Sequence, residues 1–300
     1  MLGPTASGKS AVALRLARRH GAEIVSVDSM QVYRGMDIGT AKPTPAERAE
    51  VPHHLVDVAE PEIAFTVADA QAIGRRVLDD LAERDVPALI VGGSGLHFRA
   101  LVDPLVSPPS DPALRLELEA LAPADAVEAL LGADAAAGDL VDLENPRRVV
   151  RALEIHRLTG RTPSERAATP EARAVRAYES VVPVVPVGLD PGDDLGTRVT
   201  ERFDRMLERG LVDEVRDLAP RLGPTSRNAV GYRQLLPVVA GERDLTEGRR
   251  RCIDATTSLA RRQRTFFGRD PRLRWMEWDD DPDTRTRQVE VVLEEAGWTS

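Results

Sequence analysis

The sequence predicts an α/β protein: a parallel sheet flanked by helices, with a wholly helical segment inserted in it. Three observations carry this. A glycine-rich loop opens the chain and runs into a helix, short β-branched runs then alternate with helical spacing, and a long middle stretch shows no strand signal.

The first element is Gly3-Pro4-Thr5-Ala6-Ser7-Gly8-Lys9-Ser10, which fits G-x-x-x-x-G-K-[ST] at every position. Glycines let successive backbone N–H groups turn inward on a phosphate, Lys9 brings a compact positive charge, and Ser10 can ligate Mg2+. The helix that follows, Ser10 to Arg19, adds its dipole. Such a loop normally follows a buried strand, yet only Met1 and Leu2 precede Gly3. The expectation is therefore that several N-terminal residues, and with them most of a first central strand, are missing; the alternative is that a neighbouring segment takes the place.

A strand from Ala22 to Val27 ends at Asp28. A helix over Val67 to Arg84 leads into a strand, Ala88 to Val91, stopped by Gly92-Gly93-Ser94-Gly95. In a parallel sheet the ligand site lies at the carboxyl ends of the strands, which places Asp28 and Ser94 together there. Prolines then thicken, and residues 107 to 176 read as a helical insertion between core segments 1–106 and 177–300. The run Val181 to Leu189 returns the chain to the sheet, followed by amphipathic helices over Arg198 to Leu218 and Thr246 to Phe267.

Composition limits the function classes. The chain has 300 residues, 42% hydrophobic and 30% charged, with no apolar run near the roughly 20 residues that a membrane helix needs. No signal peptide is evident, and Cys252, the single cysteine, has no partner for an internal disulfide, so a cytoplasmic protein without membrane contact is expected. A net charge of −9 argues against a nucleic-acid partner, but nine arginines against two aspartates between Arg249 and Arg274 form a locally basic stretch. A solvated helix face explains that stretch equally well. Only Lys9 and Lys42 among the 40 basic residues are lysines, and both lie in glycine-bearing motifs, which points to sites that a guanidinium cannot fill. His53-His54 has no third ligand at metal spacing and reads as structural.

The run Asp28-Ser29-Met30-Gln31-Val32-Tyr33-Arg34-Gly35-Met36-Asp37-Ile38-Gly39-Thr40-Ala41-Lys42-Pro43 resembles the D-S-x-Q-x-Y-x-x-x-x-I-G-T-A-K-P signature of tRNA dimethylallyltransferases. Val91 to Leu96, Asn145 to Glu154, Glu201-Arg202-Phe203 and Val230 to Gln234 agree in the same order. Departures are Ser94 and His97 where the family usually has Thr and Tyr, Thr257-Ser258 for Arg-Gln, and Phe266 for Trp. No Cys/His cluster follows, so the bacterial type without a zinc finger is implied.

The resemblance implies a P-loop NTPase-like core with an inserted helical domain, and transfer of a dimethylallyl group from its diphosphate to an adenosine of tRNA. It implies that the loop from Gly3 to Ser10 and Arg202 hold the diphosphate, and that Ser10 binds the Mg2+ cofactor. Asp28 is the candidate base, with Thr5 and Ser94 as further hydroxyls; an Asp at such a strand end can instead serve the Mg2+. The tRNA contacts implied are Asp28, Ser29, Met30, Gln31, Arg147, Arg148, Arg151, Asn228, Gly231, Tyr232 and Arg233, on the anticodon stem-loop. A monomer is expected. The rivals are a small-molecule P-loop kinase, against which the Gly39-to-Pro43 block speaks, and a nucleotide-dependent RNA-binding protein without catalysis.

Overall fold

A computed structural model describes residues 1–298. In chain order the elements are α1 Lys9–His20, β1 Glu23–Ser26, α2 Pro45–Glu50, β2 His53–His54, α3 Val67–Glu83, β3 Ala88–Val91 and α4 Gly95–Val102. Then come α5 Pro112–Glu119, α6 Pro123–Ala133, α7 Pro146–Thr159, α8 Pro163–Ala167, α9 Pro170–Arg176 and β4 Val187–Gly188. The chain closes with α10 Leu195–Glu208, α11 Leu211–Leu218, α12 Tyr232–Val239, α13 Leu245–Phe267, β5 Arg274–Trp275 and α14 Pro282–Glu295. None of the described helices is long and apolar enough to cross a membrane.

The chain divides into two compact units, one of residues 1–101 with 183–300, the other of residues 102–182. The sequence placed these boundaries at 107 and 176. The difference has a local cause: α4 runs on to Val102, whose carbonyl accepts the Val181 N–H at 2.7 Å and pairs the two ends of the smaller unit.

In the larger unit β1 lies between β2 and β3, all parallel, with Ile24 opposite His53 and Ser26 opposite Val91. β4 and β5 form a second parallel pair. Leu2 joins the two, bridging in parallel to both Gly92 and Gly188. Its N–H donates to Val187 O at 2.8 Å, its carbonyl accepts from Leu189 N at 2.9 Å, and Met1 O accepts from Gly92 N at 3.2 Å. Met1 and Leu2 thus take the place between β3 and β4 at the level of Ile90 to Gly92.

One apolar core joins α1 and α14 to the sheet through Val12, Leu16, Ile24, Leu89, Val187, Leu189, Val289 and Leu293. Each such burial contributes about 1.5–3 kcal/mol. A second core joins the 28–43 segment to α10–α13 through Tyr33, Met36, Phe203, Leu211, Val215, Tyr232 and Cys252. Burial pushes the Cys252 thiol up to about 12, so it is packing rather than a nucleophile.

Two expectations are corrected. The single helix over Arg198 to Leu218 is α10 and α11, broken at Gly210, whose φ of 94° only glycine adopts readily. The strand over Val181 to Leu189 shrinks to β4, because Pro183 and Pro186 bring no N–H to a ladder.

The smaller unit holds α5 to α9 around Leu118, Leu130, Val149 and Leu153. Glu154 is fully buried there and accepts from Asp111 N (2.9 Å), Arg115 Nη2 (2.7 Å) and Arg151 Nη1 (2.6 Å). Burial raises its carboxyl, but the two guanidiniums and the N–H outweigh that and hold it below the ordinary range.

Candidate active site

The loop ahead of α1 is bent by three residues at positive φ: Gly3 (140°), Ala6 (64°) and Gly8 (75°). A Cβ on Gly3 would lie 2.2 Å from Leu189 O, so the first motif glycine is required by the close approach of β4's end. The loop's carbonyls are taken from outside. Lys9 Nζ donates to Pro4 O at 2.5 Å, Arg198 Nε to Ala6 O at 3.1 Å and Arg285 Nη1 to Ser7 O at 3.1 Å. Thr5 N–H donates to Gln263 Oε1 at 2.8 Å. The N–H groups from Ala6 to Ser10 meet no acceptor among the described residues. An arc of open donors at a helix N-terminus is an anion site.

Two cavities meet at this loop. One, of about 390 Å³, is bordered by Lys9, Ser10, Ser26, Gln31 and Lys42. The other, of about 430 Å³, is walled by apolar Met30, Val199, Phe203, Met206, Leu259 and Phe266, with Ser94 on its rim. Thr5, Asp28, Thr40, Gly93, Arg202 and Gln263 border both. A polar pocket for an anion therefore adjoins an apolar chamber across a carboxylate and a guanidinium.

The electrostatics follow from burial. The Lys9 ammonium is lowered to about 7, first by burial and then by the Arg202 charge, with Asp28 and Asp190 opposing. Burial likewise lowers Arg202, and Asp28 opposes it. The Asp28 Oδ1 accepts from Met30 N (2.8 Å) and Gln31 N (3.3 Å), which leaves Oδ2 without a donor among the described residues. Ser94 Oγ lies 2.7 Å from His97 Nδ1. That imidazole is buried, and its desolvation lowers it against the pull of Asp28, so it is neutral.

Asp28, Thr5, Ser94 and Arg202 are thus brought together with the loop. Other expected site residues have different employment. Gln31 gives Nε2 to Thr40 O (3.1 Å) and Ala41 O (3.3 Å) and accepts from Ser26 Oγ (2.9 Å), so its amide ties the segment to β1 rather than standing open to RNA. Lys42 is buried on Tyr33 O, Asp37 Oδ1 (2.8 Å) and Asp57 Oδ1 (2.5 Å), a clamp for the loop and not a ligand. Tyr232 is fully buried, with its hydroxyl on Glu214 Oε1 at 2.5 Å; burial and that carboxylate raise its phenol well above the ordinary value. It supports the loop from behind and offers no surface to tRNA.

Gly231 is buried against Cys252 Sγ but borders the apolar chamber, whereas Asn228 and Arg233 are exposed. Arg151 is spent on Glu154 and the carbonyls of Pro108 and Pro109; Arg147 and Arg148 are exposed. In the basic stretch, Arg249 pairs with Asp204, Arg250 and Arg251 with Glu247, Arg264 with Asp190 and Arg272 with Asp270. These five of the nine arginines are thus paired with carboxylates, of which Glu247 lies on α13 itself. His53 and His54 bond Val51 O and Glu23, and the described residues hold no cluster able to bind a metal by side chains alone.

The sequence reading missed three groups. Glu214 accepts the N–H groups of Asp37, Ile38 and Gly39 at 3.0, 2.7 and 2.9 Å. Gln263 touches both cavities, and its position three residues before Phe266 on α13 was the available signal. Arg198 and Arg285 hold the loop carbonyls, and no pattern announced them.

Comparisons with known proteins place the chain in a family. The family described as IPP transferase matches residues 31–270. A tRNA dimethylallyltransferase of Acidothermus cellulolyticus is 45% identical over 289 residues, covering 93% of this chain and 88% of the relative. One of Streptomyces avermitilis is 42% identical over 303 residues, covering 98% and 95%. The crystal structure of a tRNA isopentenylpyrophosphate transferase from Bacillus halodurans superposes with a TM-score of 0.68 at 34% identity, covering 99% and 96% of the two chains. On a match that spans most of the sequence, with whole-length relatives at such identity, the chain belongs to the IPP transferase family.

Proposed function

We propose that this protein transfers the dimethylallyl group from dimethylallyl diphosphate to the exocyclic N6 of the adenosine 3′-adjacent to the anticodon of tRNA, releasing diphosphate, on a P-loop NTPase-like core. The observation that carries this is the meeting of an anion-binding loop with an apolar chamber across Asp28 and Arg202. A prenyl diphosphate has that division of character: a charged leaving group at one end and a small hydrocarbon at the other.

In this mechanism the free N–H groups of the loop, Lys9 and Arg202 take the charge that gathers on the diphosphate as its C–O bond breaks. The adenine amine attacks the allylic carbon, and Asp28 takes the amine proton as the C–N bond forms. Thr5 and Ser94 offer hydroxyls at the join. The rival role for Asp28, service to the metal, stays open and is separable by experiment. Ser10 is exposed beside Lys9 at the polar pocket, and a lone hydroxyl suits Mg2+, which completes its shell with water and phosphate oxygens. The bound ion would add positive charge against the leaving group.

A stacked base cannot reach this chamber, so the adenosine must be extruded, at a cost of a few kcal/mol that loop nucleotides reduce. Exposed Arg147, Arg148, Asn228 and Arg233, with Ser29 and Met30 at the chamber, are the tRNA contacts that this reading retains. Phosphoryl transfer draws no support, since the relatives named above are prenyl transferases. The test is incubation with dimethylallyl diphosphate, Mg2+ and unmodified tRNA, followed by nucleoside mass analysis. A prenylated adenosine is expected; ATP hydrolysis without one would overturn the reading.

A further inference from the structure

Each peptide is a plane, so whatever holds a loop carbonyl also aims the N–H on the opposite side of that plane. The peptide that carries Ala6 O also carries the Ser7 N–H, and that of Ser7 O carries the Gly8 N–H. Both carbonyls are held by arginines distant in sequence: Arg198 Nε on Ala6 O and Arg285 Nη1 on Ser7 O, each at 3.1 Å. The Trp278 indole faces both guanidiniums, with Cζ of Arg198 4.8 Å and Cζ of Arg285 4.3 Å from its ring centroid. We propose that Arg198, Trp278 and Arg285 are positioning residues for the phosphate loop, a two-arginine stack on one indole that turns the Ser7 and Gly8 N–H groups toward the diphosphate.

This rests on the reading that the loop takes a diphosphate. Four observations carry it. Ala6 adopts φ 64° without being glycine, a conformation that persists only under outside restraint. Arg285 is 3% exposed, and its Nε has no partner among the described residues, so the guanidinium is held at the loop despite an unmet donor. A Cβ on Gly8 would lie 2.5 Å from Arg285 Nη1, so this motif glycine is fitted to that side chain. Finally, α14 is tied to α1 by Arg15 with Asp283 at 2.9 Å and by Arg19 and His20 with Glu290 at 2.8 and 2.7 Å. Loop, α1 and α14 are therefore joined by side-chain contacts.

The two like charges are eased by the indole face and by Asp280, 3.8 Å from Arg198 Nη1. Arg198 comes from α10, whereas Trp278 and Arg285 come from the segment after β5 and from α14.

The experiment titrates inorganic diphosphate into the full chain and into Trp278→Ala, Arg198→Met, Trp278→Phe and Lys9→Met, with tRNA affinity measured in parallel. Trp278→Ala and Arg198→Met should weaken diphosphate binding about tenfold, the loss of one charge-assisted restraint. Their tRNA affinity should hold, and Trp278→Phe, which keeps an aromatic face, should restore most of the loss. Indole emission should respond to diphosphate in the parent and not in Trp278→Phe. Diphosphate affinity unchanged in Trp278→Ala and Arg198→Met, with Lys9→Met defective, overturns the positioning role and leaves the loop reading standing. Lys9→Met binding as well as the parent overturns both. Parallel loss of diphosphate and tRNA affinity marks general disruption and also overturns the positioning role.

Discussion

Glu214 is the cross-link on which the 28–43 segment depends, and its removal should loosen that segment selectively. Its carboxylate collects three backbone N–H groups at 2.7–3.0 Å and the Tyr232 hydroxyl at 2.5 Å. Hydrogen bonds to a charged group contribute about 1.5–3 kcal/mol each, but water can replace the acceptor for N–H groups near the surface. The Tyr232 hydroxyl, on a fully buried residue, has no such recourse. Counting one buried donor left unmet and the N–H groups partly rescued, Glu214→Ala should cost about 3 kcal/mol. Glu214→Gln, which keeps one acceptor but turns an NH2 on the other donors, should cost roughly half of that. The assay is amide exchange at Asp37, Ile38 and Gly39, which a 3 kcal/mol opening speeds by about a hundredfold, together with a double-mutant cycle against Tyr232→Phe. Unchanged exchange at all three amides, or a cycle coupling below about 0.5 kcal/mol, would refute the reasoning.

Asp28→Asn should lower single-turnover rate by about 10²- to 10⁴-fold with binding little changed, whereas a metal-serving Asp predicts joint loss of diphosphate affinity that added Mg2+ partly restores. Burial lowers the Lys9 ammonium to about 7, and a bound diphosphate favours the cation. Binding should therefore take up a proton, and affinity should fall as pH rises above about 7. Calorimetry in buffers of different ionisation enthalpy checks this, with Lys9→Met as the baseline for ionisation of diphosphate itself; equal proton uptake in both sinks it. Arg148→Ala removes an exposed guanidinium that pairs with Asp142 at 3.5 Å, so tRNA binding should weaken and its salt slope flatten by about one counterion. Loss of diphosphate binding instead would reverse that assignment.

Where local pattern and tertiary structure agree, the fold was legible. The helix expected over Ser10 to Arg19 is α1, and the strand expected over Ala88 to Val91 is β3 to the residue. Pattern failed where a single backbone requirement overrode hydrophobicity: Gly210 splitting one amphipathic run in two, and prolines cutting an apolar run to a two-residue strand. The order of the sheet was not readable either. Leu2 bridging Gly92 and Gly188 is a contact between residues that share no local signal.

At the site, residue type was legible and employment was not. Two lysines in an arginine-rich chain pointed to places where a compact cation is required, and both places are real. Lys9 gives two of its three donors to Pro4 O and Ser7 Oγ and keeps the third for a ligand at an open arc of N–H donors. Lys42 has a carbonyl and two carboxylates on one ammonium, so its three donors are already spent. Both explain why arginine is excluded, one by ligand and one by fit. The same division separates Asp28, with one oxygen unclaimed at the join of two cavities, from Gln31 three residues on, whose amide is consumed on the chain. A motif thus reports that chemistry is constrained at a position. Counting donors against acceptors at that position decides whether the constraint serves substrate or fold.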